Sequence, residues 1–276
     1  MKDGILYICP TPIGNLEDIT IRTINVLKEV DLIAAEDTRH TLKLLNHYDI
    51  KKPLISYHEH NKITKGEKIL EKLKNGEKIA LVTDAGMPGI SDPGQDIIKL
   101  CIENDVQVVA LPGPTAFVLA LVMSGLSTDR FAFEGFLPSK GKDRKEILEK
   151  LKDEKRTIIL YEAPHRIEEL LKDLLEILGN RNISISRELT KIHEETFRGT
   201  VSEALDRFRM EKPKGEFVVV VEGAKGDEKN SFDHISIRDH IKMYMDEGLS
   251  KKDSIKKVAK ERNIPKSEVY REGIDL

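Results

Sequence analysis

Residues 4–15 read GILYICPTPIGN: six residues with the apolar, β-rich character of a covered strand, then a turn stiffened by two prolines and a glycine. The same device of a short apolar run and an abrupt stop recurs at Asp31–Ala35 (DLIAA), Leu54–Tyr57 (LISY), Ile79–Thr83 (IALVT) and Val106–Leu111 (VQVVAL). Runs this short and this apolar suit strands buried on both faces. Helical spacings lie between them. Ile21, Ile24, Val26, Leu27 and Val30 form one stripe; Ile69, Leu70 and Leu73 form another, ended by Asn75-Gly76. Strands that alternate with helices predict a mainly parallel, three-layer α/β sheet.

Outward from that half, the pattern changes between Gly125 and Lys142, where FAFEGFLPSKGKDRKE brings aromatics, Pro138, Gly141 and a basic run. The alternation then resumes with Thr157–Tyr161 (TIILY), a helix over Arg166–Leu178, Ile183–Ser186 (ISIS) and Phe217–Val221 (FVVVV). Gly223–Asn230 is polar and reads as a link to a helical tail, Ser231–Leu276. The expected division is therefore 1–125 for a first α/β domain, 126–224 for a second and 231–276 for a helical domain. In the tail, Ile237–Asp246 predicts one helix, Ser250 with Asp253 caps a second, and Pro265 opens a third. This order resembles a helix-turn-helix unit. Its middle helix carries Lys251, Lys252, Lys256, Lys257, Lys260 and Arg262. Such a face is either simply solvated or displaces counterions from a polyanion.

Composition narrows the function. The chain has 276 residues with 45 Lys+Arg against 48 Asp+Glu, so a net charge of −3 excludes a uniformly basic nucleic-acid coat and leaves only local patches. With 39% hydrophobic and 34% charged residues, it fits a soluble globular protein rather than a disordered one. Its longest apolar run, Ala116–Met123, falls well short of the roughly 18 residues of a membrane span. No leader-like segment is expected at the N-terminus. Cys9 and Cys101 both lie in apolar segments, which predicts neither a disulfide framework nor a zinc site and suits a reducing cytoplasm.

Three loops follow strands of the first half: Pro10–Asn15 (PTPIGN), Asp84–Gly94 (DAGMPGISDPG) and Pro112–Ala116 (PGPTA). In a parallel sheet all of them reach one edge, the usual ligand crevice of open α/β sheets. Proline and glycine make stiff turns that permit close backbone approach. Neither GxxxxGK[ST] nor GxGxxG is present, so a polar cofactor without a phosphate chain fits better, with Asp84 able to accept from an amine or a ribose hydroxyl. Polar clusters also follow strands at Glu36-Asp37-Thr38-Arg39, His58-Glu59-His60, Tyr161–Arg166 and Arg187–Glu195. None has HExxH spacing, and no metal is expected.

In their order, PTPIGNLEDIT, EDTR, LVTDAGMPGISDPG, PGPTA, YEAPHR, RELTKIHEE and GEFVVVVEG closely resemble the small-subunit ribosomal RNA cytidine 2′-O-methyltransferase family, within the tetrapyrrole methylase-like superfamily. The resemblance runs from about Tyr7 to Gly223. It implies two αβα domains, a helical tail, S-adenosylmethionine held between the domains, a homodimer, and ribosomal RNA or the small ribosomal subunit as partner. By position it implies cofactor contacts from Pro12, Ile13, Val82, Thr83, Asp84, Ile90, Thr115 and Ala116, with Glu162 and Leu189 from the second domain. For proton removal at the ribose, Glu36 and His165 are the candidates. Arg39, Arg166, Lys191, Lys256 and Lys257 are candidates for RNA contacts. The alternatives are C-methylation of a tetrapyrrole precursor and a non-catalytic RNA-binding assembly factor; the lysine-rich tail and the YEAPHR and RELTK blocks count against the former, the cofactor-type loops against the latter.

Overall fold

The computed structural model describes residues 4–210, 215–225, 235–262 and 264–276. They fall into two compact units, 1–223 and 224–276.

The larger unit holds two sheets. The front sheet consists of β1 (Ile5–Ile8), β2 (Leu32–Ala35), β3 (Leu54–Ser56), β4 (Lys78–Val82) and β5 (Gln107–Ala110), in the order β3-β2-β4-β1-β5. Every pairing in it is parallel. Alternation along the strands splits their side chains between two cores. Leu6, Ile8, Ile79 and Leu81 pack on one face against α3 (Lys62–Lys74) and α4 (Gln95–Glu103), through Ile69, Leu73, Ile97 and Cys101. Ile33, Ala35, Ala80 and Val82 pack on the other against α1 (Ile21–Glu29) and α2 (Thr38–His47), through Leu27 and Leu45. Two covered faces explain why these strands read as unbroken apolar runs.

The next helix, α5 (Ala116–Ser124), leaves the front sheet and packs on the rear one through Ala120 and Leu121. The rear sheet consists of β6 (Phe131–Phe136), β7 (Thr157–Glu162), β8 (Asn182–Arg187), β9 (Glu195–Thr200) and β10 (Phe217–Val221), in the order β6-β7-β10-β8-β9. Its far face carries α6 (Gly141–Lys150), α7 (Ile167–Ile177) and α8 (Val201–Met210) over Ile158, Leu160, Ile183, Ile185 and Val219. Between α6 and α7 a buried guanidinium, Arg144, bonds Asp173 at 2.6 Å.

Sequence patterning finds the front strands but not the character of this second sheet. Only β6 and β7 run parallel; β10 is antiparallel to β7 and β8, and β8 to β9. Neither β6, lying in the aromatic segment where the pattern breaks, nor β9, beside the acidic cluster, has an apolar run to reveal it. Both are edge strands with little to bury.

The second unit gathers α9 (Ile237–Asp246), α10 (Lys251–Glu261) and α11 (Lys266–Glu272) around Ile241, Tyr244, Ile255, Val258 and Val269. Ser236 and Ser250 cap the first two helices by accepting from the amides of Asp239 and Asp253. Of the expected link over Gly223–Asn230, residues 226–230 lie outside the described residues, as do 231–234 at the start of the tail.

Candidate active site

The loops after β1, β4 and β5 meet above the front sheet. Thr11 and Gly86 exchange amide–carbonyl bonds at 2.9 and 3.0 Å, and the Thr11 hydroxyl donates to the Thr83 carbonyl at 3.0 Å. The first two loops are thereby stitched into one wall. The second wall comes from the rear sheet, whose mixed pairing has a direct consequence. Phe217, at the start of β10, sits opposite Glu162 and Arg187, at the ends of β7 and β8. One strand start and two strand ends thus share an edge.

Between the walls lies a cleft of about 480 Å³, within the range that encloses a small ligand. Its front lining includes Ile13, Glu36, Asp84–Met87, Ile90–Asp92, Thr115 and Ala116. Its rear lining includes Phe136, Tyr161, Ser186, Glu188, Leu189, Lys191 and Gly215–Val218. The walls come into close contact at two glycines. A Cβ on Gly14 would fall 2.9 Å from the Leu189 carbonyl oxygen and 2.5 Å from Lys191 Cγ, and one on Gly135 would fall 3.0 Å from Ser91 Oγ. Ser91, Glu188 and Thr190 adopt positive φ values of 61°, 51° and 67°, and the first two of them line the cleft. Non-glycine residues in this region mark backbone held by its surroundings.

The lining is strongly acidic. Glu36, Asp84, Asp92, Glu188 and Glu216 all face the cleft, and among the described residues its one basic lining residue, Lys191, is paired with Glu188 at 2.8 Å. Glu36 is half-buried. Burial raises its carboxyl above the ordinary value, and the Asp84 amide N–H, 3.4 Å from Oε2, pulls the other way. Asp92 is pushed up to about 7, first by burial and then by the charges of Glu36, Glu216 and Asp84. A partly enclosed cleft carrying several carboxylates favours a cationic ligand. The apolar side chains of Ile13, Met87, Ala116, Phe136 and Leu189 can cover a planar or aliphatic body.

Sequence reasoning places Ile13, Glu36, Asp84, Ile90, Thr115, Ala116, Leu189 and Lys191 in this cleft, and the structure brings them together there. Other expected residues lie elsewhere. Val82 is buried under α1 and α2, and Thr83 is buried beneath the stitched loops. Pro12 lies beside the lining but outside it. Glu162 corrects an expectation. Alternation on β7 sends Tyr161 into the cleft and Glu162 to the opposite face, where it is fully buried and pairs with Arg166 at 3.1 Å. Arg166 also donates to the carbonyls of Leu137 and Pro138 at 2.7 and 3.2 Å, so its guanidinium ties β7 to the loop after β6 instead of facing a ligand. His165 is exposed in the turn before α7 and does not line the cleft. Arg39 is exposed at the start of α2, bound to Asp37 at 2.9 Å. Lys256 pairs with Asp253, and Lys257 lies 3.9 Å from the Tyr244 ring centroid. Among the described residues, no three His, Cys, Asp or Glu side chains converge as a metal site.

Ser186 and Glu216 carry no signal in the sequence reading, and Asp92 and Tyr161 stand there only as members of a loop and a polar cluster. Asp92 sits in a loop already singled out. Glu216 precedes a strand, whereas the crevice of a parallel sheet is formed by residues that follow one.

Residues 5–205 match the family model for tetrapyrrole (corrin/porphyrin) methylases. The ribosomal RNA small subunit methyltransferase I of a Synechocystis species is 48% identical over 99% of this chain and 98% of its own length. The protein of that name from Bacillus subtilis is 50% identical over 97% of this chain and 93% of its own. Among solved structures, a cobalt precorrin-4 methyltransferase of cobalamin biosynthesis superposes with a TM-score of 0.60 at 17% identity, covering 79% of this chain and 94% of that one, a likeness of fold alone.

Proposed function

The chain belongs to the ribosomal RNA small subunit methyltransferase I family, and from this we propose that it transfers a methyl group from S-adenosylmethionine to the 2′-oxygen of a cytidine ribose in small-subunit ribosomal RNA. The observation that carries the reading is the acidic, part-apolar cleft between the two sheets. Its residues fit the donor. Asp84 and Glu216 stand on opposite walls as acceptors and counter-charges for a molecule with a cationic sulfur and an ammonium group, while Ile13, Ala116 and Leu189 offer apolar cover. When bound, the donor supplies a methyl group on sulfur that leaves behind a neutral thioether.

The chain's own contribution is alignment and proton removal. Stitched loops and two glycine contacts fix the walls, and holding the reacting atoms within about 3–3.5 Å in line lowers the barrier. A ribose hydroxyl is a weak nucleophile. Glu36, half-buried and next to Asp84, takes its proton as the oxygen–carbon bond forms and the carbon–sulfur bond breaks. Asp92 is the second reading for this role, because its value near 7 suits a base at neutral pH. Asp92→Asn abolishing turnover while Glu36→Gln retains it would transfer the role.

RNA contacts are assigned to Arg39 and Lys191 in the larger unit and to Lys256 and Lys257 in the helical unit. The division into domains 1–125, 126–224 and 231–276 belongs to this proposal, as does a cytoplasmic location. So does a homodimer: α5 shows Val118, Leu119 and Val122 to solvent, the last at 71% exposure, an apolar face suited to a second copy. Sedimentation at micromolar concentration should give twice the chain mass. The function is tested by radiolabel transfer from S-adenosylmethionine to small-subunit RNA, naked and assembled, and to a porphyrinoid. Label in RNA that blocks alkaline cleavage beside a cytidine is the expected result. Label in the porphyrinoid, or in neither, overturns it.

A further inference from the structure

Beside Glu36, at the same edge of the front sheet, stands a group the proposed reaction does not use. β2 and β3 are parallel with Ala35 opposite Ser56, and the Tyr57 amide donates to the Ala35 carbonyl at 2.7 Å. The chain therefore leaves both strands together, Glu36 from one and His58 from the other. Asn61 fixes the imidazole. Its Oδ1 accepts from the His58 backbone N–H at 2.9 Å, and its Nδ2 faces the Ser56 carbonyl and hydroxyl at 3.3 Å each. Those contacts settle which end of the amide is which. The Nδ2 group, a donor only, also lies 3.1 Å from His58 Nε2, so Nε2 must accept and the ring hydrogen sits on Nδ1. That Nδ1 is buried and has no hydrogen-bond partner among the described residues. A buried donor without an acceptor is costly, and sites keep such groups where they act.

We propose that His58, locked by Asn61 with its hydrogen on Nδ1, is a positioning residue that turns this donor toward Glu36 and holds the carboxylate ionised and oriented for the ribose proton. The proposal rests on Glu36 as the base. The groups that bear on Glu36 are Asp37 on its own loop, Asp84 and Asp92 on the loop after β4, and His58. Asp37 and Asp84 oppose its ionisation, Asp92 is itself pushed up by the Glu36 charge, and His58 is the side chain that favours ionisation of Glu36. Loss of His58 therefore moves Glu36 upward.

The test is the pH dependence of kcat for the full-length protein with S-adenosylmethionine and small-subunit RNA saturating. In His58→Ala the acid limb should move up by roughly one pH unit, a tenfold change in proton affinity, with the Kd for S-adenosylmethionine unchanged. His58→Asn, which keeps an N–H donor near the Nδ1 position, should restore the limb. In a Glu36→Gln background, His58→Ala should have no further effect. An unmoved acid limb in His58→Ala, or a shift that His58→Asn fails to reverse, overturns the role of His58 while Glu36 stands. Full turnover in Glu36→Gln overturns the base itself and this inference with it.

Discussion

The two sheets of the larger unit build the same cleft by different rules. The front sheet is wholly parallel, so every strand-to-helix loop reaches one edge, and it supplies Glu36, Asp84 and Asp92 from loops alone. The rear sheet is mixed, so its contribution comes from strand ends and a strand start, Tyr161, Ser186, Glu188 and Glu216, lying side by side. The difference teaches that a crevice rule based on the carboxyl ends of strands finds only half of a site when the facing sheet contains an antiparallel strand.

If chemistry belongs to the front wall and support to the rear layers, single substitutions should separate them. Glu36→Gln should lower kcat by roughly 10²–10⁴-fold, as loss of a general base does, with little change in melting temperature; unaltered kcat would remove Glu36 from the reaction. Asp173→Ala, behind the rear sheet, should act the other way. It leaves the Arg144 guanidinium buried and without its closest counter-charge, costing about 3–5 kcal/mol in denaturant unfolding, while kcat of the folded fraction persists.

Gly14→Ala probes the seam itself. The added carbon meets the Leu189 carbonyl oxygen at 2.9 Å, so the walls must part. Donor affinity should fall several-fold with a smaller loss of stability, as read by calorimetry beside thermal melting. The mildest effect is on stability against pH. A carboxyl whose folded value lies above its unfolded one takes up a proton on folding. For Asp92 the cost of ionisation is absent below the ordinary value of about 4 and complete above about 7. Asp92→Asn should therefore melt a few degrees above the parent at pH 8, at about 2–4 °C per kcal/mol, and with it at pH 4. A gap that widens toward acid would contradict this origin.

The same contrast explains what the sequence discloses. Strands covered on both faces must be apolar throughout, so GILYIC, DLIAA, IALVT and FVVVV announce themselves. Edge strands β6 and β9 carry half-exposed and polar residues and leave no such mark. Loops after parallel strands reach one edge, so the pattern alone marks the loops that carry Ile13, Asp84 and Thr115, while the family resemblance supplies Ile13 and Thr115 as individual contacts. Side-chain direction was not so accessible. Glu162 and Tyr161 are neighbours in YEAPHR, and only the placement of β7 shows that Tyr161 faces the cleft and Glu162 the far core. Arg166 likewise reads as a free cation until the carbonyls of Leu137 and Pro138 are seen beneath it.

The most direct measurement is a calorimetric titration of S-adenosylmethionine and its neutral thioether product into the parent protein, Asp84→Asn and Glu216→Gln. A cationic donor held between both walls predicts binding to the parent, and a several-fold loss in each variant that is larger for the donor than for the product. No heat with the parent, or a loss confined to one wall, would contradict it.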